Sequence, residues 1–132
     1  MVVSNATAAE NVLERIDLAE LTMEKITVNL EAETVERRQL SKKALDFAVI
    51  NPAYSAKENR YVYAVILGMQ EGVGVVKLDL SMEGGEDCTV ASHLYGPGCY
   101  GGEPFFVARD PNNSTAAEDD GYLVTYVHDD NA

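Results

Sequence analysis

The sequence predicts a mainly β protein, and three observations lead to that fold class. Apolar residues alternate with polar ones over several short stretches, these stretches are rich in Val, Tyr and Thr, and Gly, Pro or Asn lies between them. The stretches follow one another at intervals of roughly 10 to 15 residues, which is typical of a β-sandwich, a β-barrel or a β-propeller. The length of 132 residues fits one domain. We assign 1–132 to that domain, with a helical lead-in at 1–21 and strands over 22–132.

The helical lead-in is predicted from a capping signal and from residue spacing. Ser4 or Asn5 can cap the N-terminus, and Val12 and Ile16 recur at a helical interval. After Leu21 the period of the apolar residues changes to two, so the helix is predicted to end there.

The strands are predicted from the period of two and from the turn residues that bound it. The segment 31–33 is short enough to join the first two strands as a hairpin, while Asn51-Pro52 and the Gly-Pro-Gly sequence at 96–98 predict turns. The polar segment 109–121 is predicted to be an exposed loop. The predicted strands are 23–30, 34–40, 45–50, 61–67, 73–80, 88–94, 103–108 and 122–128. No segment follows the last strand to form a hairpin with it, so we expect it to lack a partner.

The charge of the chain argues against two classes of partner. The formal net charge is -12 and the pI is near 4.4, a balance that repels nucleic acid and anionic membrane surfaces. No apolar run approaches the ~20 residues of a membrane span, so no transmembrane segment is predicted. The first 20 residues lack the basic and apolar regions of a signal peptide, and their acidic residues argue against a transit peptide.

The sequence contains two cysteines, Cys88 and Cys99. Their spacing is not that of a Cys-x-x-Cys motif, and two cysteines are too few for a disulfide framework. We therefore predict two buried, reduced thiols.

Five segments of the sequence resemble one known family. The longest similarity runs from Tyr95 to Arg109 and reads Tyr-Gly-Pro-Gly-Cys-Tyr-Gly-Gly-Glu-Pro-Phe-Phe-Val-Ala-Arg. The other four segments are 45–54, 60–63, 74–79 and 118–129. Together they resemble the carotenoid cleavage dioxygenase family, and the longest segment is most similar to its plant plastid subfamily. The resemblance covers nearly the whole chain.

The resemblance implies a fold, a cofactor and an activity. The family fold is a seven-bladed β-propeller with a helical cap, of which this chain would form about two blades. The family binds Fe(II) through four histidines, and three glutamates accept hydrogen bonds from three of them. The enzyme adds O2 across a conjugated double bond of a carotenoid or apocarotenoid and releases two carbonyl products. A plastid location and a peripheral association with plastid lipid bodies are implied for the intact enzyme.

Glu103 matches the glutamate of the family's Glu-Pro-x-Phe-Val motif, so the resemblance implies that it supports an iron-bound histidine. A ligating imidazole presents one nitrogen to the metal, and a carboxylate that accepts its other N–H fixes its tautomer and orientation. Taken alone, a glutamate before a proline is an ordinary turn carboxylate. The resemblance places the four ligand histidines and the other two glutamates outside this chain. We therefore expect the isolated chain to bind no iron and to be inactive.

His93 and His128 are the only histidines in the sequence, and neither is predicted to bind a metal. His93 stands where the family usually has arginine, and His128 lies in a Val-His-Asp segment that is not a ligand motif. Two histidines without a third provide neither a four-histidine site nor a 2-His-1-carboxylate site. We interpret both as surface or strand-end residues.

Four aromatic residues lie near Glu103 in the sequence: Tyr95, Tyr100, Phe105 and Phe106. Aromatic side chains could line a tunnel for a flat, apolar polyene, and Tyr100, Phe105 and Phe106 are the candidates for it. The alternative is that these side chains belong to the propeller core.

The acidic run Glu118-Asp119-Asp120 suggests Ca²⁺ binding by its charge alone. It lacks the spaced carboxylates of an EF-hand loop. We therefore predict a solvated acidic turn that precedes a strand.

A function of another class remains open, that of a small non-enzymatic β-rich binding or assembly module. Open strand edges of such a module could pair with another chain. A self-contained module should close or cap its edges, and the sequence shows no device for this. A part of a propeller is instead expected to fold partially or to have low solubility in isolation.

Overall fold

The computed structural model describes residues 21–68, 72–82 and 87–130. Over these residues the chain is almost entirely strand and turn, which confirms the mainly β class. None of them forms a helix with the length and apolar character that a membrane crossing requires. The helix predicted at 1–21 lies outside the described residues, except for Leu21, which is not helical. The described strands are β1 (Glu24–Asn29), β2 (Thr34–Gln39), β3 (Leu45–Val49), β4 (Tyr61–Gly68), β5 (Gly72–Asp79), β6 (Thr89–Leu94), β7 (Cys99–Gly101), β8 (Phe105–Ala108), β9 (Gly121–Val124) and β10 (Val127–Asp129).

The central unit is an antiparallel sheet with the strand order β3-β4-β5-β6. Strands β4 and β5 form a hairpin whose register runs from Tyr61 opposite Asp79 to Gly68 opposite Gly72. Gly72 has a φ of +89°, a left-handed conformation that glycine adopts without steric cost. The predicted strands at 61–67 and 73–80 are therefore present, and glycines end their pairing as expected.

Strand β4 is buried on both faces from residue 62 to residue 66. One face packs into the main apolar cluster, which consists of Leu40, Leu45, Val62, Ala64, Ile66, Val76, Leu78 and Cys88. On the other face, Tyr63 stacks on Phe106 of β8, with 5.5 Å between the ring centroids. The hairpin of β8 and β9 therefore contacts the side of the sheet that faces away from the main cluster.

The hairpin of β1 and β2 is attached to the sheet by hydrogen bonds. Within the hairpin, the N–H group of Leu40 donates to the Met23 carbonyl at 2.8 Å; towards the sheet, the Leu40 carbonyl accepts from the N–H of Cys88 at 2.7 Å. The Arg38 guanidinium donates to two carbonyl oxygens after β5, at 2.6 and 3.1 Å. Cys88 is buried but Cys99 is only partly buried, so the prediction of two buried thiols is wrong for Cys99.

The segment predicted as one strand at 122–128 forms two strands with different partners. β9 pairs with β8, whereas β10 pairs with β7, which lies in a segment where no strand was predicted. The change of partner occurs at 125–126, opposite 102–104, where Pro104 has no N–H to donate to a ladder. The expectation that the last strand lacks a partner is therefore wrong, because β8 and β7 pair with its two halves in turn.

Candidate functional site

Glu103 lies between β7 and β8, where the pairing of the two strands is interrupted. Just before it, the N–H of Gly102 donates to the Tyr126 carbonyl at 3.0 Å, and the Thr125 hydroxyl donates to the Gly102 carbonyl at 2.9 Å. Just after it, Pro104 is almost completely buried, and its ring fixes φ. The backbone at Glu103 is therefore held on both sides by its neighbours.

The side chain of Glu103, in contrast to its backbone, is exposed. It forms no hydrogen bond or ion pair with another residue that the structure describes. An ionised carboxylate has about four acceptor positions on its two oxygens. Glu103 is thus an acceptor on a fixed backbone, available to a donor from elsewhere. This meets the chemical requirement for a hydrogen bond to the free N–H of a metal-bound imidazole.

Phe105 and Phe106 lie on opposite faces of β8, because successive side chains of a strand alternate. Phe106 is 7% exposed and packs against Tyr63 with an interplanar angle of 23°. Phe105 is 61% exposed and shares an open apolar face with Val107 and Val124. Of these two tunnel candidates, Phe105 is accessible to a ligand and Phe106 is part of a packed contact between the hairpin and the sheet.

Tyr100, the third tunnel candidate, lies on β7 opposite His128 and is half exposed. It lines a mostly apolar cleft of about 320 Å³ with residues that include Leu67 and Pro97. Phe105 is not one of the described residues that line this cleft. The structure therefore does not bring Tyr100 and Phe105 together in one cleft.

Both histidines are exposed. His93 lies on β6, with its ring 6.0 Å from that of Tyr95, and His128 lies on β10. The Nε2 atom of His128 is 3.1 Å from a carboxylate oxygen of Asp130. Within residues 21–68, 72–82 and 87–130, no three His, Cys, Asp or Glu side chains are grouped so that they could hold a metal ion.

The acidic run at 118–120 forms a turn before β9, as predicted, but its residues are only partly exposed and two of them bond to the neighbouring sheet. The carboxylate of Glu118 accepts hydrogen bonds from the backbone N–H groups of Arg60, at 2.9 and 3.0 Å, and Tyr61, at 2.8 Å. Asp119 forms an ion pair with Lys77 of β5. The hydrogen bond from Lys77 lowers the pKa of Asp119. The loop before β9 is therefore bonded to the start of β4 and to the middle of β5.

An ion pair between a buried carboxylate and a half-exposed guanidinium lies beside these contacts, and no sequence pattern predicted it. Asp79 is 5% exposed, and two guanidinium nitrogens of Arg60 donate to its carboxylate at 2.7 and 3.0 Å. Those hydrogen bonds, helped by others from Ser81, hold the pKa of Asp79 well below its usual range. The pairing register of β4 and β5 could have revealed this ion pair, because a hairpin that places Tyr61 opposite Asp79 also places Arg60 close to Asp79.

A family model described as RPE65, retinal pigment epithelial membrane protein, matches residues 3–132. The chain belongs to this family. It is 53% identical over 131 residues to the probable carotenoid cleavage dioxygenase 4, chloroplastic, of Arabidopsis thaliana, which covers 98% of this chain and 22% of that protein. It is 40% identical over 134 residues to the zeaxanthin 7,8(7',8')-cleavage dioxygenase, chromoplastic, of Crocus sativus, with 98% and 36% covered. The chain thus spans well under half the length of these RPE65-family relatives.

Solved structures are similar to this chain in fold. A cobalt-substituted Synechocystis ACO, an apocarotenoid oxygenase, matches 82% of this chain with a TM-score of 0.66 and 28% sequence identity. An ACO/RPE65 chimera matches with a TM-score of 0.66 and 27% identity. In both cases the chain covers 22% of the solved protein. The prediction that the chain forms part of a β-propeller is confirmed by this likeness.

Proposed function

We propose that this chain is a section of a non-haem iron dioxygenase that cleaves a conjugated double bond of a carotenoid or apocarotenoid. Membership of the RPE65 family supports the reaction class, and the printed names of the relatives support the substrate class. The observation within the chain that carries the proposal is Glu103, an exposed carboxylate on a backbone fixed by Gly102 and Pro104. The exposed histidines His93 and His128 are not part of the proposed site.

The proposed role of Glu103 is to accept the N–H of a histidine that binds iron and lies outside this chain. The carboxylate fixes the tautomer and orientation of that imidazole and raises its basicity. Bound Fe(II) would supply the activation of O2, which is chemistry that protein side chains do not provide. That a Synechocystis relative was solved in a cobalt-substituted form supports a metal centre in the intact enzyme. The isolated chain is proposed to be inactive, because it would lack the ligand histidines.

The proposed substrate contacts are apolar. Phe105 and Tyr100 expose their rings, at 61% and 50%, and a polyene can lie flat on such a ring. Phe106 packs on Tyr63 on the opposite face of β8 from Phe105 and would support the Phe105 surface from behind. The plastid names of the relatives support a plastid location for the intact enzyme, and a peripheral association with lipid bodies suits its apolar substrate.

Iron content is the measurement that tests this proposal. The purified 132-residue chain and a longer protein from an extended transcript are each loaded with Fe(II) without oxygen, and bound iron is measured. We expect stoichiometric iron in the longer protein only. In that protein, Glu103→Gln is expected to lower iron affinity about 10- to 100-fold, because the amide is a weaker acceptor. Glu33→Gln, in the exposed turn after β1, is the matched control and should change nothing.

Three results would overturn the proposal. If the longer protein binds no iron, it does not contain the proposed metal centre. Stoichiometric iron in the short chain would assign metal binding to His93 and His128. Equal iron affinities in the Glu103→Gln and Glu33→Gln proteins would show that Glu103 has no role at the site.

The exposed apolar face of β8 and β9 favours a second candidate, a non-enzymatic binding or assembly module. Phe105, Val107, Tyr122 and Val124 line this face and are each about half exposed or more. A module of this kind should unfold in one sharp cooperative transition as the 132-residue chain and should bind no iron in any longer form. A section of a propeller should give the opposite result in both measurements.

A further inference from the structure

The loop between β8 and β9 bonds to the neighbouring sheet through two side chains, Glu118 and Asp119, which we call the acid clasp. Both carboxylate oxygens of Glu118 accept from the N–H of Arg60, and one of them also accepts from the N–H of Tyr61. The main chain is bound as well, because the side-chain amide of Asn51 donates to the Glu118 carbonyl at 2.8 Å. Asn51 is only 6% exposed, so this contact is protected from water.

The second half of the acid clasp is the ion pair between Asp119 and Lys77 on β5. The Lys77 ammonium also lies 3.8 Å from the centroid of the Tyr61 ring, a cation–π contact. The exposed fractions of the two side chains are 23% for Lys77 and 33% for Asp119. The clasp therefore contacts both central strands of the sheet, β4 at its start and β5 at Lys77, and it does so through partly exposed groups.

These bonds cross between two separate elements of the fold. β8 and β9 share no ladder with the four-stranded sheet, so side-chain and loop contacts must set their relative position. Two apolar contacts also join this part of the chain to the rest of the described structure, namely the stack of Phe106 on Tyr63 and the close approach of Gly101 to the Tyr95 ring. The acid clasp and the Asn51 bond to the Glu118 carbonyl add polar, directional contacts.

We infer that Glu118 and Asp119 of the acid clasp are positioning residues for Glu103, an inference that rests on the proposed function. Glu103 and Phe106 are three residues apart on nearly extended chain, which corresponds to about 10 Å. A rotation of the hairpin by about 6° about the Phe106 contact would therefore move Glu103 by about 1 Å. A displacement of about 1 Å in a catalytic site can lower the rate by as much as ~100-fold. Because the other two contacts remain, we expect a smaller effect when the clasp is removed.

The test uses the longer iron-loaded protein and compares variants of the loop. Glu118→Ala removes the acceptors, and Glu118→Gln retains one acceptor oxygen in the same place. We expect Glu118→Ala to lower iron affinity roughly three- to tenfold and to shift the ligand-field spectrum of bound Fe(II), with Glu118→Gln intermediate. Asp110→Asn is the matched control, since the Asp110 side chain accepts a hydrogen bond from the N–H of Asn112 within the same loop. If Glu118→Ala does not fold, Asp119→Asn removes the Lys77 pair and leaves the Glu118 bonds intact.

The outcomes separate this inference from the proposed function. A wild-type protein that binds no iron overturns the proposed function and this inference with it. A wild-type protein that binds iron, with an unchanged affinity and spectrum in Glu118→Ala, overturns the positioning role alone. Faster hydrogen exchange at the amides of Arg60 and Tyr61, with unchanged iron, would show that the clasp is only structural. Partial rescue of the spectrum by Glu118→Gln supports the inference, because this variant restores an acceptor for the N–H groups of Arg60 and Tyr61.

Discussion

Replacing Phe106 with alanine is expected to loosen the hairpin of β8 and β9 much more than the same change at Phe105. The two residues are adjacent, lie on opposite faces of β8 and are 7% and 61% exposed. With about 180 Å² for a Phe side chain and about 25 cal/mol per Å², truncation removes roughly 4 kcal/mol of burial at Phe106 and roughly 2 kcal/mol at Phe105. Both values are upper bounds, because an unfolded chain already buries part of its apolar surface.

The difference of about 2 kcal/mol corresponds to about 30-fold in the equilibrium constant for opening the hairpin. Loss of the stack on Tyr63 would add about 0.5–1.5 kcal/mol. Native-state amide hydrogen exchange measures this opening locally and does not require the whole chain to unfold in one step. Exchange at the β8 and β9 amides should therefore be about 30-fold faster in Phe106→Ala than in Phe105→Ala. The amides of β5 serve as the internal reference.

Two results would refute this reasoning. Equal exchange rates in the two variants would mean that the packing of Phe106 on Tyr63 does not hold the hairpin. Faster exchange throughout β3 to β6 in Phe106→Ala would mean that the hairpin and the sheet open as one unit. In that case the contacts between them are not separable from the core, and the hairpin is not a separately held element.

Three further predictions concern stability, of which the first two are measured in the longer protein and the third in the isolated chain. Asp79 has a pKa well below its usual value because Arg60 bonds to it, so the pair stabilises the fold above about pH 4 and this stability is lost as the pH falls. Between pH 7 and pH 2 the midpoint of thermal unfolding should fall less in Arg60→Met than in the control Arg37→Met, whose arginine forms an exposed ion pair. Arg60→Met should also be the less stable of the two at pH 7. Parallel curves of midpoint against pH would contradict this. Gly74→Ala should destabilise the sheet by about 1–3 kcal/mol, since its Cβ would lie 2.2 Å from the His93 carbonyl oxygen, whereas Gly102→Ala meets only an ordinary contact at 3.9 Å. Urea titration of both variants checks this, and equal midpoints would count against it. The isolated chain should melt over a broad range and bind an apolar dye at its exposed faces, and a sharp two-state melt would show that it folds as a complete unit.

The strands that sequence reasoning predicted are those with enough residues to show a period. β4 and β5 each have eight residues that end on glycine at the shared turn, so both their pattern and their register could be read. β7 and β10 have three residues each, which is too short for an alternation to be recognised. Their pairing depends on the interruption at Pro104, where the pairing of β8 with β9 gives way to that of β7 with β10. This change of partner is set by the folded chain and not by a local sequence pattern.

The acidic residues show the same limit at the candidate site. Glu103 and Glu118 are both glutamates at the edge of a polar segment, and local sequence gives them the same interpretation as turn carboxylates. A resemblance was needed to single out Glu103, because its proposed hydrogen-bond donor lies outside this chain. The role of Glu118 could be recognised only from the structure, because its donors are backbone N–H groups 57 and 58 residues away. Every residue except proline has such a group, so the sequence does not show which of them is the donor. Asp119 was in principle detectable through its opposite charge to Lys77, but ten basic residues offer many possible pairs and only the fold selects one. A carboxylate whose partners are distant backbone N–H groups is thus harder to predict than one that lies in a motif shared with a family.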